Sequence, residues 1–194
     1  RGEFDAVYLA FGAGRQKRLP QLDYSQPWVC DGADYLARAS RGAPPALGPR
    51  VLVVGGGSAA MDVARSARRA GHAVTLLALE AEAAMPAQRE EVVEALEEGI
   101  ELVDAAMLRS ATAEAGGLRL DCVRVDLTRA VPGGPFTVAA RPGSEFVLLA
   151  DAIVSSIGQD PELSVLGDTF GRNGALLAAD DAGATAEQGV WAGG

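Results

Sequence analysis

A continuous apolar run, Val51-Leu52-Val53-Val54, breaks into Gly55-Gly56-Gly57 and resumes at once as a helical pattern from Ser58 to Ala70. A strand without polar alternation is buried on both faces, the signature of a parallel sheet held between two layers. The spacing Gly55-x-Gly57-x-x-Ala60 then gives each small residue a task. Gly55 permits the tight turn, Gly57 lets a pyrophosphate approach the backbone, and Ala60 lets helix and strand pack closely. Gly56, Ser58 and Ala59 complete the turn, and the first amides of the helix offer their N–H groups and a positive dipole end to the phosphates. Glycine-rich turns alone are common. The strand before this one and the helix after it make dinucleotide binding the reading.

The same pattern continues downstream. Gly71 closes the helix, Ala73 to Leu79 is the next strand, and Pro86 is expected to open a helix running to Glu98, stopped by Gly99. Ile100 to Val103 is a third parallel strand, which completes one β-α-β-α-β half of a doubly wound fold. From Met107 to Leu149 the hydrophobic period changes to two, as in Leu118-Arg119-Leu120-Asp121-Cys122, with turn glycines at Gly116-Gly117, Gly133-Gly134 and Gly143. That predicts an antiparallel meander. Asp151 to Ile157 returns to a buried strand.

Upstream, Phe4 to Ala10 reads as a strand ending at Gly12-Ala13-Gly14. Arg15 to Gln21 is a polar loop, Asp31 opens a helix to Ser40, and the proline-rich Gly42–Pro49 is a linker. The tail from Gly171 is loop, with one apolar segment at Gly189-Val190-Trp191-Ala192. The fold class expected is therefore α/β: a Rossmann-type parallel sheet with helices on both faces and a small meander. Residues 50–160 would form the dinucleotide domain, with the meander at about 107–149. Residues 1–49 and 161–194 would flank it. The chain opens almost inside a strand and stops on Gly193-Gly194 after an apolar run, as a segment cut from a larger protein would.

The acid that normally holds the ribose hydroxyls of NAD stands at the end of the second strand, about twenty residues past the glycines. Glu80 occupies that place, and Glu82 is close enough in sequence to be the ligand instead. An arginine would suit the 2′-phosphate of NADP, so Glu80 favours NADH over NADPH. His72, the single histidine, follows the helix-ending Gly71 and reads as a surface residue. Glu90, Glu91, Glu94, Glu97 and Glu98 read as the solvated side of their helix. Asp62 suits the helix dipole or a local pair. No Ser-His-Asp or metal-ligand cluster appears, and no catalytic acid–base residue or metal ligand is assigned.

Composition narrows the partners. A net charge of −9 without a basic stripe gives nucleic acid and anionic membranes nothing to hold. No apolar stretch reaches the roughly eighteen residues of a span, and the N-terminus lacks the form of a signal peptide. Cys30 and Cys122 form no C-x-x-C, which points to a reduced, cytoplasmic setting.

Four ordered motifs resemble a known family, the small (beta) subunit of glutamate synthase and its FAD- and NAD(P)H-dependent oxidoreductase relatives. They are Val53 through Asp62; Met85-Pro86-Ala87 with Glu91 and Ala95 to Ile100; Asp151 to Val154 through Ile157-Gly158-Gln159-Asp160-Pro161; and Gly189 to Gly194. The resemblance implies a nicotinamide domain inserted within an FAD domain, with Gly12, Gly193 and Gly194 on the flavin side and Gly158-Gln159 at the crossover near the nicotinamide. It implies a hydride passed from NAD(P)H to FAD held by segments missing here, and electrons sent on to an iron-sulfur centre or partner subunit. The fragment alone would be inactive. The family commonly carries an arginine pair, serving NADPH, where Leu79 and Glu80 stand. Thioredoxin reductases share the architecture but have a redox C-x-x-C where this chain offers only Cys30, so disulfide reduction is not expected. A different class, a non-catalytic module that senses the NAD pool, would have no reason to keep flavin-edge sequence at both ends. Methyltransferases want glycine where Ala59 stands.

Overall fold

A computed structural model describes residues 4–129, 136–167 and 169–193. In chain order these form β1 (Val7–Leu9), β2 (Arg15–Gln16), β3 (Val29–Asp31), α1 (Gly32–Ser40), β4 (Arg50–Val54), α2 (Ser58–Arg69), β5 (Ala73–Leu77), α3 (Arg89–Glu97) and β6 (Glu101–Val103). There follow β7 (Ala106–Glu114), β8 (Gly117–Arg129), β9 (Phe136–Ala150), β10 (Ala152–Ser155), β11 (Gln159–Asp160), β12 (Arg172–Asn173), β13 (Leu176–Leu177) and β14 (Val190–Ala192). Gly194 and the expected Gly133-Gly134 turn lie outside the described residues.

The chain divides into two units, a continuous one of residues 18–158 and a discontinuous one of 1–17 with 159–194. The boundary expected at residue 49 therefore moves to 17/18. The reason is that residues 18–49 supply a strand and the expected helix to the larger unit. Short β3, unread in the sequence because Trp28 to Asp31 shows no periodicity, pairs in parallel with β10.

The larger unit is built on a parallel five-stranded sheet of order β3-β10-β4-β5-β6. Its α/β class and its meander are as expected, but the helices, expected on both faces, share one. Val51, Val53, Val74, Leu76, Ala152 and Val154 bury one sheet face against residues of all three helices, Tyr35, Met61, Val63, Val92 and Ala95 among them. Leu52, Val54, Leu77 and Ile153 bury the other face against Leu108, Leu118, Leu120 and Cys122 of the meander. Crossover handedness accounts for this. The connections β3–α1–β4, β4–α2–β5 and β5–α3–β6 all advance in the same direction across the sheet, so right-handed crossovers place all three helices on one side. The return from β6 to β10 runs the other way, and its meander falls on the opposite face. Both faces are covered, which is why β4 carries no polar alternation.

Two local expectations are also corrected. Helix α3 begins at Arg89, not Pro86. The Ala87 N–H donates to the Gly56 carbonyl at 3.1 Å, which holds Pro86-Ala87 outside the helix. The Gln88 N–H then donates to the Glu91 carboxylate at 3.1 Å, fixing the new start. Gly143 is not a turn between strands. It lies within β9, at φ 72°, where the register with β8 slips between Val123 and Val125.

In the smaller unit β1 pairs in parallel with β14, Tyr8 opposite Trp191, and β2 pairs antiparallel with β11. The expected polar loop at Arg15 thus contains a short strand, held further by Lys17 and Asp160 at 3.3 Å. The expected tail loop contains the β12–β13 hairpin. No helix among the described residues is long and apolar enough to cross a membrane.

Leu120 is fully buried between sheet and meander. Leu120→Ala should lower unfolding stability by about 2–5 kcal/mol in urea titration. A second prediction concerns Asp151, whose carboxylate accepts from the Arg50 guanidinium at 2.7 Å. That bond holds the carboxyl below its usual value. A group so lowered stabilises the fold above its unfolded value and loses the contribution as pH falls through the folded one. Asp151→Asn should therefore be less stable than wild type at neutral pH. The two curves should converge in acid, below the ordinary aspartate value of 3.8.

Candidate functional site

Strand β4 gives way to Gly55, whose φ of 143° few side chains adopt. A Cβ there would stand 2.2 Å from the Ser156 carbonyl oxygen. The Gly55 N–H donates to Leu77 at 3.0 Å and the Ser156 N–H donates to Val54 at 2.8 Å, so the carboxyl ends of β5, β4 and β10 are tied together at this glycine. Chain direction across the sheet reverses between β4 and β10, the place where open α/β sheets take ligands.

The remaining small residues of the turn differ in their surroundings. Ala60 is fully buried, and its Cβ lies 3.1 Å from where a Gly55 side chain would begin. Gly57 caps α2 in extended conformation, and a Cβ there would meet nothing within 4 Å. Its backbone therefore faces open space. Ser58 and Ala59 follow in the first turn, ahead of the helix's own carbonyl ladder, where amide N–H groups lack intrahelical partners. No acidic side chain stands in that turn to compete with an anion. Asp62 is exposed one turn further on.

Gly56 is constrained by charge. A Cβ there would lie 2.8 Å from Glu80 Oε2, so the Glu80 carboxylate is folded over the glycine turn. Its side chain is only 11% exposed, and Oε1 accepts from Arg129 Nη2 at 3.2 Å. Glu82, the other candidate acid, turns away: its carboxylate pairs with Arg89 at 2.7 Å. Arg129 was missed in the sequence, since it lies on β8, far along the chain, and no local pattern marks it.

The other residues singled out are ordinary. His72 Nδ1 lies 2.6 Å from the Gly48 carbonyl, a surface contact beyond α2. Glu94 pairs with Arg65, and Glu98 pairs with both Arg65 and Arg69, fastening α3 to α2. Cys122 is buried in the meander core, where desolvation pushes its thiol up to about 11. Cys30 is half-buried in the middle of β3. Gly158, at φ 96°, ends the larger unit just past β10, and Gln159 opens the smaller one. In the smaller unit Gly12 and Gly193 line a mostly apolar groove of about 320 Å³ with Leu9, Phe11, Leu163 and Leu177. The Gly193 N–H donates to Leu9 at 3.2 Å, and a Cβ on Gly193 would meet the Tyr8 hydroxyl at 2.2 Å.

The buried parallel strand, strained glycine and open helix start define a Rossmann-type unit. Over residues 1–194 the sequence matches the family model described as pyridine nucleotide-disulphide oxidoreductase, and the chain belongs to that family. Within it the chain is similar to glutamate synthase small chains and to related oxidoreductase beta subunits. It is 36% identical over 177 residues to the NADPH-Fe(3+) oxidoreductase subunit beta of Geobacter sulfurreducens, covering 87% of this chain and 26% of that protein. It is 34% identical to the NADP(+)-dependent formate dehydrogenase subunit beta of Moorella thermoacetica, covering 99% and 28%. It is 33% identical to the glutamate synthase [NADPH] small chain of Azospirillum brasilense, covering 78% and 32%. The chain thus spans about a quarter to a third of these relatives' length. Mycobacterium tuberculosis FprA in complex with NADPH shares the fold, with a TM-score of 0.72 at 16% identity, covering 98% of this chain and 58% of that one. T. acidophilum thioredoxin reductase shares it too, with a TM-score of 0.71 at 17% identity over 97% and 56%.

The two outer glycines of the turn should behave differently. Gly55→Ala meets backbone at a disallowed φ and should destabilise the fold by about 2 kcal/mol or more. Gly57→Ala enters open space from an allowed conformation. It should cost less, about 1 kcal/mol or under, since alanine is the poorer N-cap but meets no clash there.

Proposed function

We propose that the larger unit binds a nicotinamide dinucleotide, its pyrophosphate over Gly57 and the α2 start and its adenosine ribose against Glu80, with NADH favoured over NADPH. The observation that carries this reading is the pairing of an open backbone at Gly57 with a carboxylate folded over Gly56. A ribose diol donates to a carboxylate, whereas a 2′-phosphate is repelled by it. Gly56, Ser58, Ala59 and Ala60 shape the turn. Gly158 and Gln159 would adjoin the nicotinamide.

The full protein would be an electron-transfer flavoenzyme. NADH, when bound, would supply a hydride to FAD, and electrons would pass on to an iron-sulfur partner subunit. The names of the relatives, which are beta subunits and small chains of oxidoreductases, support that assignment. The groove beside Gly12 and Gly193 fits the flavin side, being apolar and lined by glycine where a flat ring would approach. Gly194 belongs to the same proposal, and two unlinked thiols suit a cytoplasmic setting. This chain's own part is placement and exclusion of water, and no side chain need move a proton.

Calorimetric titration of the intact protein tests the binding reading. Wild type should bind NADH more tightly than NADPH, and Glu80→Arg should reverse the order. Gly57→Ala, folded but obstructed, should weaken both by about tenfold. Failure of wild type to bind either dinucleotide at millimolar concentration would overturn the reading.

A further inference from the structure

Beside the Glu80 carboxylate, at the carboxyl end of β5, opens a cavity of about 360 Å³ lined by Leu79, Glu80, Val125, Asp126, Arg129 and Arg141. One wall is made by loop residues that follow β5 and β6, and the other by strands β8 and β9 of the meander. Its charged groups are paired: Arg129 with Glu80 at 3.2 Å, and Arg141 with Asp126 at 2.6 Å. Two guanidinium groups and two carboxylates sum to zero, so the mouth of the ribose site is neutral although its first acid is Glu80. The Arg129 guanidinium lies 4.9 Å from the Phe136 ring centroid, which fixes its plane. Its side chain is 31% exposed against 11% for Glu80, so the arginine is the more outward member of the pair.

Resting on the dinucleotide reading above, we propose that Arg129 is a specificity-determining residue that lets the site accept NADPH alongside NADH. Glu80 accepts from the ribose hydroxyls of NADH. When a 2′-phosphate stands there instead, Arg129 is the adjoining cation. Its five donors form a fork, so bonding to Glu80 is compatible with bonding to a phosphate oxygen. The meander thereby supplies from β8 the positive charge that Leu79 and Glu80 do not provide. Arg129 sets the size of the NADH preference and Glu80 sets its sign. The pair is partly withdrawn from water, so the field of its charges on a phosphate is less screened than on an open surface.

The test is titration of the intact wild-type protein, Arg129→Gln and Arg129→Lys with NADH and with NADPH. Arg129→Gln should raise the NADPH dissociation constant by about tenfold or more, the worth of one charge-assisted contact. It should change that for NADH by less than roughly threefold, since the hydroxyls are read by Glu80. Arg129→Lys should recover part of the NADPH affinity, which a purely structural role for the arginine would not produce. Equal weakening of both dinucleotides by Arg129→Gln, or no change in either, would overturn the proposal while leaving the dinucleotide site intact. Wild type that binds neither would remove the dinucleotide reading and this one with it.

Discussion

The contact between Gly55 and the Ser156 carbonyl governs the larger unit. With 2.2 Å between that oxygen and any Cβ, only glycine lets the ends of β4 and β10 converge. Their convergence seats Ala60, and Ala60 brings the start of α2 down onto the sheet. The open amides at Gly57 to Ala59 are thus a by-product of packing. A turn that had to be tight for steric reasons opens directly into a helix, whose first-turn amides precede its own carbonyl ladder and can serve an anion. Fold and site share one constraint here, so a change at Gly55 alters both.

What the sequence disclosed follows from the range over which each signal acts. The strands at Val51, Ala73 and Ala152, the helix from Ser58 and the meander alternation at Leu118 are local patterns, and each stands close to its expected place. The common face of the three helices is a property of strand order, which no local window contains. Once the order β3-β10-β4-β5-β6 is known, handedness dictates it. The start of α3 was misplaced for a related reason. Pro86 is a good first helical residue in isolation, but the bond from Ala87 to Gly56 is tertiary and wins.

The site divides the same way. Its steric half, Gly55 to Ala60, is written in six consecutive residues. Its electrostatic half is not: Glu80 is legible by spacing, whereas Arg129 lies on β8, 49 residues further along the chain, and only the fold brings it to Glu80. Reading Leu79-Glu80 alone gives a bare acid. The folded chain gives a neutralised one, and a neutral mouth tolerates a wider range of anionic charge on the ligand than a lone carboxylate does.

The interleaving of the two units follows from closure entropy. β1 and β14 come from opposite ends of the described chain yet pair residue for residue. Bringing distant segments together through a flexible loop costs entropy that grows with the logarithm of loop length. Here the loop is itself a folded unit, and its two exits, beside Gln16 and Gln159, are drawn together by the β2–β11 pair. The effective loop is then far shorter than the sequence separation. The β2–β11 pair itself belongs to the discontinuous unit, so that unit holds the two exits within a strand spacing of each other. A dinucleotide domain inserted in this way would carry its binding turn intact whatever the outer unit is joined to, because every residue from Gly55 to Glu80 and Arg129 lies inside the insert.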